Sequence, residues 1–254
     1  MQYCATRRCF SKRGWAKRVL TGHAWLAHDA RRKPTKKIDM MKKGRTFMKR
    51  YLIAAIALAA LTLPAHAGDI IQDWASVKAP AALEVKPVTV DAKTTALLLL
   101  DFQKPNCPNR PRCIASLPAA KKLLDEARAK NVLVVYTTSG MANADAILQE
   151  LAPTSGEPLV RAASVDKFTN TDLEKILKAK GIQTVIVSGT AAHGAVLYGG
   201  SLAAVKGFKV IVPVDLMSSE DLYYEQATVW LLAKGTGGIG PKVTLTRANM
   251  IKFQ

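Results

Sequence analysis

The chain has 254 residues, 49% hydrophobic, 22% charged and 6% aromatic, with a formal net charge of +18. That surplus is local: residues 1–50 hold 16 Lys/Arg against 2 Asp/Glu, whereas residues 68–254 hold 21 against 17. Collagen-like, coiled-coil, disordered and multi-span membrane classes are excluded, and the part beyond residue 67 reads as one globular domain too nearly neutral for a nucleic-acid binder.

Residues 1–47 are basic and lack sustained periodicity, and read as an extension outside the native product, with translation starting at Met40, Met41 or Met48. Met48-Lys49-Arg50 then leads an apolar run from Tyr51 to Pro64, closed by Ala65-His66-Ala67. A basic start, a short apolar centre and a small-x-small end describe a secretory signal peptide over 48–67, cleaved after Ala67. The run is too short for a permanent membrane anchor, which needs about 18 or more apolar residues. The expected product is periplasmic or secreted.

Residues 68–93 read as an extended N-terminal segment and 94–254 as the domain. Apolar runs at Ala96 to Leu100, Val132 to Tyr136, Thr184 to Val187 and Phe208 to Val214 predict buried strands, with a short last strand at Lys242 to Leu245. Helical spacing is predicted over Leu117 to Lys130, Thr171 to Lys180, Ala195 to Lys206 and Leu222 to Ala233. Strands without polar alternation, each followed by a helix, imply a three-layer α/β domain around a mostly parallel sheet. Ligands of such sheets bind beyond the carboxyl ends of the strands. Attention therefore falls on Asp101, on Gly189 through Ala195, and on Asp215.

Cys107 and Cys113 stand in Cys-Pro-Asn-Arg-Pro-Arg-Cys. In an exported chain a close even pair reads first as a disulfide; zinc is the alternative, but it usually takes four ligands, and His193 is the only His after residue 67. Asp101, ending the first strand, is either a partly desolvated acid/base or a cap for the following loop. The small residues Gly189, Thr190, Gly194 and Ala195 around His193 let backbone approach a ligand, and the helix start offers N–H donors to an anion; tight strand-to-helix turns favour the same residues. Lys167 is either a solvated residue near a helix start or a cation pressed against Asp101, with Arg161 as its competitor for that place.

The order LLLLDFQ (Leu97 to Gln103), KFTNTDL (Lys167 to Leu173), VSGTAAHGAV (Val187 to Val196) and GFKV (Gly207 to Val210) with Asp215 resembles the isochorismatase-like hydrolase, or cysteine hydrolase, family over about residues 94–235. The resemblance implies a Rossmann-like αβα fold and an Asp–Lys–Cys site that hydrolyses amides or the vinyl ether of isochorismate. Two residues depart from it. Ala195 stands where the family has its nucleophilic Cys, and Ala162 stands about six positions before Phe168, where the family Lys is usual. The ligand histidines of zinc-dependent nicotinamidases are missing after Asp101, so neither metal nor cofactor is expected.

A methyl group cannot attack a carbonyl, but isochorismatases of this family also lack the Cys, because protonation and water attack suffice for a vinyl ether. The implied activity is therefore non-covalent hydrolysis of a small molecule: Asp101 as acid/base, Lys167 or Arg161 as its cation, and the backbone N–H groups of 193–195 as anion cradle. The alternative is a catalytically silent small-molecule-binding relative. Helix Leu222 to Leu232 is apolar enough to support a homo-oligomer.

Overall fold

The computed structural model describes residues 68–254. The expected basic extension 1–47 and the expected signal peptide 48–67 lie outside the described residues. The chain divides into two units, Met1–Lys78 and Ala79–Gln254. In the first, Asp69 accepts the N–H groups of Ile71 and Gln72, followed by a 3-10 turn at Trp74–Ser76.

In the second unit the strands are β1 (Val88–Val90), β2 (Thr95–Leu100), β3 (Leu133–Ser139), β4 (Leu159–Ala162), β5 (Thr184–Thr190), β6 (Lys209–Pro213), β7 (Met217–Ser218), β8 (Val243–Thr246) and β9 (Ile251–Phe253). The helices are α1 (Pro111–Ala129), α2 (Leu173–Ala179), α3 (Leu197–Val205) and α4 (Leu222–Ala233). The main sheet runs β4-β3-β2-β5-β6-β8, with β7 added against the end of β5, and every pairing in it is parallel. This is the doubly covered α/β architecture that the buried strand runs imply.

β2 is central, and all six of its residues are buried. Its period of two divides the core. Leu97 and Leu99 pack with Leu117, Leu123 and Leu124 of α1 on one face. Ala96, Leu98 and Leu100 pack with Leu173 and Leu177 of α2, Ala203 of α3 and Leu232 of α4 on the other. A leucine fully removed from water contributes about 1.5–3 kcal/mol, so this strand anchors both layers and fixes where its carboxyl end, and hence Asp101, stands.

The structure differs from the expected elements in places with local causes. The 68–93 segment is interrupted by 3-10 turns at Trp74–Ser76 and from Ala92, and its β1 pairs in parallel with β9, so strand pairing begins before residue 94. α1 starts at Pro111, ahead of the expected Leu117, because proline at the first helical position loses no needed N–H and brings a suitable φ. The helix expected from Ala195 begins instead as a π-helical turn, Ala192–Val196, that continues into α3. β4, unmarked in the sequence, is an edge strand whose Leu-Val-Arg-Ala is too short and too mixed to show an apolar run.

Candidate active site

β2 and β5 lie side by side, and their register sets Leu100 opposite Gly189. The residues that follow each strand, Asp101 on one side and Thr190 through Ala195 on the other, therefore emerge together at the carboxyl edge of the sheet. Gly189 is demanded by this closeness. Its φ is +153°, and a Cβ there would stand 2.2 Å from the Leu100 carbonyl oxygen. Gly189→Ala is expected to force β5 from β2 at the site and cost about 3 kcal/mol or more. Urea unfolding checks this, and a change under about 0.5 kcal/mol, the range of ordinary surface substitutions, would mean the backbone relaxes freely there.

Asp101 takes a left-handed conformation, φ 54°, which Asp tolerates better than most side chains. Only 4% of the residue is exposed. Its Oδ1 accepts the Thr137 hydroxyl at 2.7 Å, and its Oδ2 lies 2.7 Å from Lys167 Nζ. Lys167 is wholly buried and also donates to the Ser164 carbonyl at 3.0 Å. Arg161 goes elsewhere: its guanidinium donates to Asn143 at 3.3 Å on an exposed face. The loop turns Lys167 inward through Asp166, whose carboxylate accepts the N–H groups of Phe168 and Thr169 at 2.7 and 3.0 Å. Desolvation works against that carboxylate, but hydrogen bonds from Thr169 and Phe168 prevail and hold its pKa below the usual range.

The same loop reaches the turn after β5. A Cβ on Gly194 would stand 3.3 Å from Val165 Cγ1, so Val165 covers the cradle beside Lys167. Ala195 is buried at 2% exposure. The expected donor set changes here: the Gly194 N–H turns back to the Ala191 carbonyl at 3.1 Å as the π-turn closes, so it is spent within the loop. The peptide between Thr190 and Ala191 is cis. His193 is half-exposed; its Nδ1 lies 3.0 Å from Ser219 Oγ, and its ring stacks on Tyr224 with centroids 4.1 Å apart. Asp215, the third strand-end candidate, instead accepts the Ala248 N–H at 2.9 Å, a structural tie.

Several residues of this region carry no signal in the sequence pattern. Thr137 could have been found, since β3 extends past Tyr136 and brings it opposite Leu100. Gln103 is buried and its Oε1 accepts both the N–H and the hydroxyl of Ser139 at 2.9 Å, tying the Asp101 loop to β3. Arg110 Nη1 donates to Thr190 Oγ1 at 3.0 Å from within the loop closed by the Cys107–Cys113 disulfide. Ser219 accepts the Ala192 N–H, and its own N–H is held by the buried Glu225 at 3.0 Å. Arg112 grips Glu225 through Nε at 2.9 and 2.8 Å; that hydrogen bond is the main reason its guanidinium pKa is raised.

Two apolar cavities lie apart from the Asp101–Lys167 pair. One, of about 350 Å³, is bordered by Leu83, Met217, Val229 and Trp230; the other, of about 540 Å³, lies between Tyr198, Val205, Leu231 and Ile239. The ion pair itself is buried, with Lys167 wholly inaccessible and Asp101 4% exposed.

A family model for the isochorismatase domain matches residues 95–240. The chain is 28% identical over 154 residues to the secreted isochorismatase effector Isc1 of Verticillium dahliae, an alignment covering 55% of this chain and 80% of that protein. It is 30% identical over 135 residues to the N-carbamoylsarcosine amidase of an Arthrobacter species, covering 42% of this chain and 50% of the amidase. Among solved structures, a cysteine hydrolase from Pseudomonas syringae pv. phaseolicola superposes with a TM-score of 0.58 over 66% of this chain and 95% of its own, at 19% identity, a likeness of fold alone.

Proposed function

The chain belongs to the isochorismatase family of hydrolases, and on that premise we propose that it hydrolyses a small molecule by acid/base chemistry without a covalent intermediate. The observation that carries this reading is the buried contact of 2.7 Å between Asp101 Oδ2 and Lys167 Nζ at the carboxyl end of β2. A carboxylate at 4% exposure is expensive to keep unless it is paired, and here the pair stands beside a turn made of small residues. In the proposed reaction Asp101 passes a proton to the substrate, water attacks the electron-poor carbon so formed, and Asp101 takes up the proton that water gives back. Lys167 balances the negative charge of Asp101 through the cycle. The N–H groups of His193 and Ala195 are assigned to a substrate oxygen, which they hold in place for the proton transfer.

A second reading is a silent relative that only binds its ligand. Ala195, in place of a thiol, and the burial of the ion pair favour it. The two part in one experiment, in which the purified full-length chain and its Asp101→Asn variant are assayed against isochorismate, nicotinamide and small amides. Turnover is expected, falling about 10²–10⁴-fold in the variant, the usual contribution of one positioned acid/base. Turnover that the substitution leaves unchanged would clear Asp101 of the role; no turnover of any substrate supports the binding relative.

Export is part of the same proposal. The Cys107–Cys113 disulfide suits an oxidising compartment, and one relative is a secreted effector. The signal peptide at 48–67 and a periplasmic destination go with it. Assembly into a homo-oligomer is supported by the exposed Leu222, Tyr223 and Leu231 of α4.

A further inference from the structure

We propose that Arg110 and His193 form a receptor for the carboxylate of a small organic acid, a place that the chain's own Glu220 holds in the free protein. The inference rests on the site just described and names the chemical class that the site takes.

Glu220 lies between two donors. Its Oε2 is 3.3 Å from Arg110 Nε, and its Oε1 is 3.7 Å from His193 Nε2. Both donors are fixed from behind. Arg110 occupies the disulfide loop, where its N–H donates to the Cys107 carbonyl and its carbonyl accepts the Cys113 N–H, each at 2.8 Å. Its Nη1 is spent on Thr190 Oγ1 at 3.0 Å, in the turn that carries the cradle. The His193 ring is clamped between Tyr224 and Ser219. Ser219 Oγ accepts the Ala192 N–H and lies 3.0 Å from His193 Nδ1; in the tautomer in which the Ser219 hydroxyl donates to Nδ1, the ring presents an Nε2–H to the carboxylate.

Glu220 is the one loose member. Its side chain is 50% exposed, against 21% for Arg110. An exposed ion pair is weak and its acid is readily exchanged for another anion. The mostly buried guanidinium, by contrast, always needs one. A ligand carboxylate reaching this edge of the sheet therefore meets a fixed cation and a fixed imidazole ring, and displaces only an exposed side chain.

Ligand-observed NMR titration of the full-length chain with benzoate, and with benzamide as its neutral isostere, tests this. Benzoate is expected to bind saturably. Glu220→Gln should tighten benzoate about threefold, the scale of one exposed ion pair, and leave benzamide unchanged. Arg110→Gln should weaken benzoate about tenfold or more, with Arg110→Lys recovering part of the loss and showing that the fold persists. Failure of the wild-type chain to bind benzoate, equal losses for benzoate and benzamide in Arg110→Gln, or weaker benzoate binding in Glu220→Gln would each overturn the proposal. Asp101→Asn should keep benzoate binding whatever it does to turnover, so a silent enzyme with an intact carboxylate receptor sinks the hydrolase reading alone.

Discussion

Lys167→Ala is expected to lower stability by about 3–5 kcal/mol and to abolish turnover. The magnitude follows from burial: Lys167 is wholly buried, Asp101 is 4% exposed, and removing one member of such a pair strands the other's charge in a poor solvent. The Thr137 hydroxyl continues to bond Oδ1, but one neutral donor does not replace an ammonium. The double variant Asp101→Asn/Lys167→Met should be closer to wild type than Lys167→Ala, because both charges leave together and the methionine refills the volume. Urea denaturation of the wild type, Asp101→Asn, Lys167→Met and the double variant makes a cycle whose coupling reports the pair directly. Coupling below about 0.5 kcal/mol, the additivity of unconnected sites, would mean that the two groups do not share a desolvated contact. Activity separates the roles further: a stable double variant without turnover places the loss in chemistry rather than in folding.

How that pair could be anticipated is instructive, because its two halves are unequally written in the chain. Asp101 is announced by the apolar run that it ends. A strand buried on both faces cannot continue through a carboxylate, so the residue must stand at the sheet's edge. Lys167 has no such announcement. It lies in an irregular loop, and only the folded turn around Asp166 shows that it, and not Arg161, points inward. Spacing within one segment cannot report which of two cations reaches a residue more than sixty positions away, since that is decided by loop geometry and by the β3–β4 pairing.

The same division holds across the fold. β2, β3, β5 and β6 were legible because their apolar runs are longer than any loop sustains, and α4 was legible to the residue. β1, β7 and β9 have two or three residues each, and their pairing depends on partners distant in sequence. In the site, Gly189 and Thr190 were readable as a tight turn, but Arg110, Ser219 and Glu220 were not. Each belongs to a different segment, and polar residues at loop ends look alike until the strands that carry them are set side by side.

Ala195→Cys should create an amidase that works through the introduced thiol. Ala195 lies in the turn between β5 and α3, where the first N–H groups of the helical segment favour a thiolate. Asp101 and the Lys167 ammonium lie at the end of the adjacent strand, able to take the thiol proton and to balance the charge. Adding one sulfur at a site only 2% exposed costs about 1 kcal/mol of overpacking, taken up by Val165 over Gly194, so the variant should still fold. The thiolate would add to an amide carbonyl, the amine would leave with the proton from Asp101, and water would release the acid from the thioester, regenerating the thiol. Turnover of nicotinamide or a small N-carbamoyl amide should rise about 100-fold or more over the parent. Iodoacetamide should abolish it, with peptide mass spectrometry locating the modification at position 195 rather than at Cys4 or Cys9. A variant that alkylates readily at 195 yet hydrolyses nothing would mean that the acid and the cradle are not arranged for acyl transfer. The parent's lack of a thiol would then be one departure among several rather than the decisive one.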